Sequence, residues 1–295
     1  MMKDIRVALG QITCLVGNLD DNVEKHRLFA MQASEAGASI IAFPELSLSG
    51  YPETKELTAS LAQPPDGELG SVAVSIAKEA GVTVVAGFLE KDPAGEYYNS
   101  QLVASPSGLE GVYRKIHVPF PENARFNQGN SLPVYTSNGS TFGVQICYDN
   151  HFPEAARTIA LQGAEIIFGC YASPGPCTEE GVKAKHDRWL RYLTARAFDN
   201  SVFMAIVNQV GRSSGEPATE PTSSSSRETH TGMSEFPGGS LALNPWGEVI
   251  AEAKPMVEDL LIVDLDSATL MEKRGDDLQF FDNYRRPDLY RLEAG

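Results

Sequence analysis

Three residues with reactive side chains stand at the ends of apolar runs. Glu45 follows IIAF in ASIIAFPEL, Lys115 closes the run ending VYRK, and Cys147 follows FGVQI and precedes Tyr148, Asp149, Asn150 and His151. A thiol attacks a carbonyl carbon as its thiolate. It therefore needs a base to take its proton and a positive group to hold the oxyanion that forms. Glu45 can serve as that base and Lys115 as that cation. Each residue also has an ordinary reading: Cys147 as a small core residue, Glu45 as a turn residue after Pro44, Lys115 as a solvated charge. His117 and His151 offer a competing Cys–His pair, although His117 reads better as structural and His151 as a pocket-lining or helix-capping residue. Cys170, Cys177 and His186 have no common zinc spacing, so no metal is expected there, and chemistry by a thiol, a base and a cation needs no cofactor.

These residues need strands to carry them and helices to cover the strands. Strand-like runs are read at 5–12, 38–46, 82–90, 142–148, 164–171, 202–210 and 259–266. Helical spacing is read at Asp20–Ala36, with Val23, Leu28, Phe29 and Met31 as its apolar positions and Gly37 as its stop. Further helices are read at Leu69–Ala80 before Gly81, at Glu154–Gln162, and at Lys183–Phe198 with Trp189, Tyr192 and Leu193 on one face. Hairpins are read at 98–115, turning at Ser105–Gly108, and at 240–253, turning at Asn244–Gly247. Hairpins among the alternating strands and helices exclude a purely parallel sheet and point to a layered α/β fold with mixed sheets. Active sites in such folds gather where strand ends meet.

The chain has 295 residues, 42% hydrophobic and 21% charged, with a formal net charge of -15. This is a globular composition with an acidic surface, which argues against nucleic acid and anionic membranes as partners. No run is apolar enough to span a bilayer, and MMKDIRVALGQIT has no secretory pattern. Four cysteines, Cys14, Cys147, Cys170 and Cys177, are too few for a disulfide framework. A cytoplasmic setting is expected. A single domain over 1–295 is expected, with a polar loop insertion at about 211–235, rich in Ser, Thr, Glu and Pro, and a C-terminal tail at about 278–295. That tail is aromatic and basic, and it is expected to dock on something, a second subunit being one choice.

Taken together and in order, FPELSLSGY, YRKIHVP and GVQICYDNHFPEAAR resemble the nitrilase, or carbon–nitrogen hydrolase, superfamily. The resemblance extends to GAEII, ARAFDNSVF, FPGGSLALNPWGEV and RRPDLY, nearly the whole chain. It implies a four-layer α-β-β-α sandwich, usually paired with a second copy, so that a homodimer or higher homo-oligomer is expected. It implies Glu45 as general base and acid, Lys115 as the oxyanion-stabilising cation and Cys147 as nucleophile. It also implies a second glutamate, matched here by Glu122 in ENARFNQG, which positions the lysine or the substrate. Tyr51, Tyr148, Asn150, His151 and Tyr171 are the expected substrate-binding residues, with the Tyr148 backbone N–H as an oxyanion donor. Cys147-Tyr148-Asp149 looks like the amidase and carbamoylase branches rather than the Cys-Trp-Glu of true nitrilases. Asn150 and His151 stand where amino-acid carbamoylases generally carry arginines that grip a carboxylate. The expected substrate is therefore a linear amide or N-carbamoyl amine. An N-carbamoyl amino acid, a nitrile, and a catalytically weak scaffold role are the alternatives.

Overall fold

The computed structural model describes residues 2–213 and 235–290. The first half of the chain runs β1 (Ile5–Gln11), α1 (Leu19–Glu35), β2 (Ile40–Ala42), α2 (Lys55–Leu61), α3 (Glu68–Ala80), β3 (Thr83–Lys91), β4 (Tyr97–Ser105) and β5 (Gly108–Arg114). It continues with β6 (Val134–Ser137), β7 (Ser140–Ile146), α4 (Pro153–Leu161), β8 (Ile166–Tyr171), α5 (Glu179–Asn200) and β9 (Phe203–Asn208). The last part holds β10 (Val210–Arg212), β11 (Glu235–Pro237), β12 (Leu241–Leu243), β13 (Val249–Glu252), β14 (Asp259–Leu265) and α6 (Ser267–Gly275).

Two six-stranded sheets form, in the orders β14-β1-β2-β3-β4-β5 and β13-β12-β9-β8-β7-β6. Each has a parallel centre of three strands, β1-β2-β3 and β7-β8-β9, flanked by antiparallel neighbours. The central strands are apolar on both faces because both faces are covered. Val7, Leu9, Ile40, Val85 and Val103 of the first sheet pack against Val144, Ile146, Phe168, Val207 and Ala242 of the second. Helices α1 and α3 cover the outer face of the first sheet, and α4 and α5 that of the second. The result is the mixed-sheet α-β-β-α sandwich expected from the sequence. The parallel centres place the C-terminal ends of β2 and β7 at the rim where Glu45 and Cys147 follow.

Several details differ from the sequence reading. Leu28 and Met31 of α1 are 51% and 39% exposed. The buried face of that helix carries Asn22, His26, Phe29, Ala30 and Ala33. Two polar residues can lie inward because their hydrogen bonds are met. Asn22 bonds Leu15 N–H and the Leu15 and Leu48 carbonyls, and His26 bonds the Asn22 carbonyl and Ser47 Oγ. Strand β2 is three residues long, so Glu45 sits in a turn three residues beyond its end. Cys147 likewise lies beyond its strand, as the first residue of a 3-10 turn spanning Cys147–His151. Helices α2 and α6 and strand β6 are not among the elements expected from the sequence. Of the 211–235 loop, the two ends form a small antiparallel ladder between β10 and β11, and 214–234 lie outside the described residues. The tail reaches α4 through an Arg157 Nη1–Asp282 Oδ1 ion pair of 2.5 Å, while Tyr284 and Tyr290 stay exposed.

Candidate active site

Lys115 lies at the centre of the site. The residue is fully buried where the chain leaves β5, and its Nζ donates to Glu45 Oε1 at 2.8 Å and to Glu122 Oε2 at 2.7 Å. Burial alone would lower the ammonium, but the two carboxylates outweigh it and hold Lys115 well above the usual lysine value. Glu122 belongs to a short 3-10 turn, Glu122–Ala124, and its carboxyl is raised by burial against the opposing pull of Lys115. The Tyr51 ring stands beside this carboxylate, and its hydroxyl is raised well above the ordinary tyrosine value by burial and then by Glu122.

Glu45 is 1% exposed. Its Oε1 accepts from Asn99 Nδ2 at 2.7 Å as well as from Lys115, and its Oε2 accepts the Ala172 backbone N–H at 2.9 Å. Both carboxylate oxygens are thereby aimed. The turn that carries Glu45 is tight. Leu46 has φ 53°, and Ser47 Oγ accepts the Gly87 N–H of β3 at 3.1 Å. A Cβ on Gly87 would come within 2.2 Å of Leu46 N and 2.6 Å of the Pro44 carbonyl, so a glycine at this strand position lets the turn lie flat against the sheet.

Cys147 is half-buried and has φ 44°, a left-handed conformation in which a side chain is strained. The turn lifts the thiol out of the β7 ladder. The thiol is pushed well above its ordinary value by burial and by Glu45, and Lys115 pulls it back. The buried Glu45–Lys115 pair thus acts on the thiol with opposite signs, the carboxylate raising it and the ammonium lowering it.

Asp149 holds this turn in place, a role its position two residues past Cys147 did not reveal. Its Oδ2 accepts from Tyr113 Oη at 2.7 Å and from Ile146 N–H at 3.0 Å. Its Oδ1 accepts the His117 backbone N–H and faces His117 Nδ1, both at 2.9 Å. The carboxylate thus fastens the segment after Lys115 to the turn of Cys147. His117, stacked on Phe152 at 3.6 Å, is committed to this structural contact. Asn99 was missed as well. Its signal was present, since Asn-Ser-Gln in the middle of a strand is an unfavourable choice unless those side chains have work to do.

The expected pocket residues separate. Tyr148 is 40% exposed and packs edge-on to Phe152, and the His151 ring lies 4.3 Å from that of Tyr192. His151 is lowered by burial and then by Arg196 and Arg188. Asn150 is fully buried and donates from Nδ2 to the Cys147 carbonyl at 3.2 Å, so it braces the turn. Tyr171 is buried under α5, its ring 4.8 Å from Trp189 and its hydroxyl 3.5 Å from that of Tyr192. Among the described residues no cluster of His, Cys, Asp and Glu has the arrangement of a metal site, the four cysteines are free, and no helix is long and apolar enough to cross a membrane.

Comparison with known proteins identifies the family and the fold. The family model described as Carbon-nitrogen hydrolase matches residues 6–274. A protein named nitrilase from Pyrococcus abyssi is 32% identical over 289 residues, covering 97% of this chain and 99% of the relative. An N-carbamoylputrescine amidase from Solanum lycopersicum is 32% identical over 300 residues, covering 98% and 94%. Among solved structures, a carbon–nitrogen hydrolase from Helicobacter pylori superposes with TM-score 0.83 at 24% identity, covering 97% of each chain. An amidase mutant from Nesterenkonia, with acrylamide added at its active-site cysteine, superposes with TM-score 0.73 at 24% identity, covering 92% and 97%.

Proposed function

Because the chain belongs to the carbon–nitrogen hydrolase family, and so acts on C–N bonds, we propose that it hydrolyses a linear amide or an N-carbamoyl amine through a thioester on Cys147. The observation that carries this reading is the fully buried Lys115 ammonium, held between Glu45 and Glu122 and electrostatically coupled to the Cys147 thiol. Burying such a charge costs several kcal/mol unless it is well paired. A scaffold subunit has no use for that arrangement, whereas an acyl-transfer site does.

In this reading Glu45 takes the Cys147 proton as the sulfur attacks the carbonyl carbon. Lys115 and the Tyr148 backbone N–H hold the oxyanion. The C–N bond breaks, and Glu45 returns the proton to the departing nitrogen. A water molecule then gives a proton to Glu45 and attacks the thioester, which releases the acid and restores the thiol. With a ureido substrate the products are ammonia, carbon dioxide and the amine. Glu122 keeps Lys115 in line throughout.

The absence of arginines at 150 and 151 supports a substrate without an α-carboxylate. The acidic surface adds little to the choice, since Arg196 and Arg188 act on His151 while Asp199 and Glu154 act on Arg196, leaving charges of both signs at this edge. A cationic tail is therefore supported by the N-carbamoylputrescine amidase relative rather than by local charge. The Pyrococcus abyssi relative favours a second reading, hydrolysis of a nitrile at the same thiol.

One experiment separates these readings. The wild type, Cys147→Ala and Glu45→Gln are incubated with amides, ureido amines, ureido acids and nitriles, and ammonia release is followed together with intact-protein mass. Ammonia from amides or ureido amines is expected. Cys147→Ala should lose at least about 10³-fold in rate, and Glu45→Gln, which lacks the base for both attack and hydrolysis, should fall on the same scale without building up an adduct. Failure of every class to react, in a protein whose Cys147 is no more reactive than a free thiol, would overturn the proposal.

A further inference from the structure

Lys185 is a buried cation that the mechanism above does not use. It lies on the inner face of α5, 2% exposed, with Nζ donating to the Ser173 carbonyl at 2.6 Å, Ser173 Oγ at 2.9 Å and the Pro174 carbonyl at 3.0 Å. Its Nζ also stands 5.2 Å from the centre of the Trp189 ring. Among the described residues none of its bonds goes to a carboxylate. A lysine in this position satisfies three converging acceptors with three N–H donors, which an ammonium does and most other side chains cannot.

The segment it grips begins one residue after Ala172, whose backbone N–H holds Glu45 Oε2. Asn208, at the end of β9, grips the same segment from the other side. Its Oδ1 accepts the Ser173 N–H at 2.9 Å, and its Nδ2 donates to the Ser173 carbonyl at 3.3 Å and the Gly238 carbonyl at 2.8 Å. Ser173 is thus clamped by two buried side chains, and the orientation of the preceding peptide follows from that clamp.

We propose that Lys185 is a positioning residue for Glu45, acting through Ala172–Pro174 to keep one oxygen of that carboxylate aimed while the other faces Lys115. The proposal rests on the assignment of Glu45 as the base for Cys147. Geometry carries it, and the charge environment adds a consequence. Burial and then Arg188 lower Lys185 to about 7, while Cys147 and Cys177 pull it upward. The groups facing it are Arg188 and Trp189 on its own helix, Cys147 after β7, and Cys177 beyond β8. The third donor of the clamp is therefore gained or lost near neutral pH, which tightens or loosens the hold on Ser173–Pro174.

The test reads thiolate formation directly and needs no substrate. The rate of iodoacetamide addition to Cys147, located by peptide mass, is measured from pH 6 to 9 in the wild type, Lys185→Met and Lys185→Arg, with kcat and KM on any substrate found. Loss of the clamp is expected to slow alkylation at Cys147 about tenfold, the scale of a small misplacement of a catalytic group. The pH profile should be displaced and kcat should fall with it, while KM stays within about twofold. Lys185→Arg should recover a large part. A folded Lys185→Met with the wild-type alkylation profile overturns the proposal. If that variant does not fold, Lys185→Gln, which keeps two donors without charge, is judged by the same criterion. A wild type whose Cys147 reacts like a free thiol at every pH instead removes the assignment of Glu45, so the two failures are distinct.

Discussion

At the scale of single residues, the site depends on carboxylates that are fully used. Asp149 is the clearest case: it touches no reacting atom in the proposed mechanism, yet it accepts from Tyr113, Ile146 and His117. Replacing it with alanine leaves buried donors unmatched, which costs about 3–5 kcal/mol of stability. It also frees the turn of Cys147 from the segment after Lys115. Asp149→Ala is expected to unfold at markedly lower urea and to lose kcat, whereas Tyr113→Phe, which removes one bond, should cost about 1 kcal/mol. Equal urea midpoints for Asp149→Ala and the wild type would contradict this. The residue was in plain view next to Cys147, but nothing local marks it. Its partners lie 3, 32 and 36 positions away, and such separations follow no period. Glu45, Lys115 and Cys147 stand out as candidates in the sequence because each follows an apolar run with a reactive side chain and because their ordered motifs resemble one family.

At the scale of elements, strands and long helices were legible from periodicity, and the short elements were not. The inward face of α1 shows the limit. Leu28 and Met31 suggested one face, but the helix buries Asn22 and His26, because hydrogen-bonded polar groups can take the place of apolar ones. This choice has a consequence for pH. His26 donates from Nδ1 to the Asn22 carbonyl, since a carbonyl can only accept, so neutral Nε2 accepts from the Ser47 hydroxyl. Ser47 in turn receives the Gly87 N–H, which ties α1, the turn of Glu45 and β3 together. Burial lowers His26 to about 4, from the usual 6.5. The unfolded chain then binds the proton more readily. The stability this contributes is present above about pH 6.5 and is lost as pH falls towards 4, by about 3 kcal/mol in all. Urea midpoints measured between pH 7.5 and 4.5 should fall along this curve, and less steeply in His26→Gln. A drop of the same size in that variant would assign the effect elsewhere.

At the scale of the whole molecule, each sheet supplies part of the site. Glu45, Asn99 and Lys115 come from the first sheet and its loops, and Cys147 and Ala172 from the second, with Asp149 reaching across. Mixed sheets covered by helices were legible in the alternation of runs and hairpins, and the four-layer sandwich only through the family resemblance. The pairing of the first and last strands was not, because strand order is decided by packing that no single segment records. That pairing sets Ile5 opposite Leu265 and Gln11 opposite Asp259 along the full length of β1. While the chain is being made, Glu45, Lys115 and Cys147 all emerge long before β14 does. Until then β1, with six of its seven residues destined for burial, has one side of its backbone without a neighbour. An open apolar edge of this kind is a template to which other chains can add. A chain ending before Asp259 would keep that edge for good, although it contains every residue of the proposed chemistry. Such a chain is expected to sediment as aggregate on expression, and its recovery as a dispersed, folded protein would show that the edge is protected in some other way.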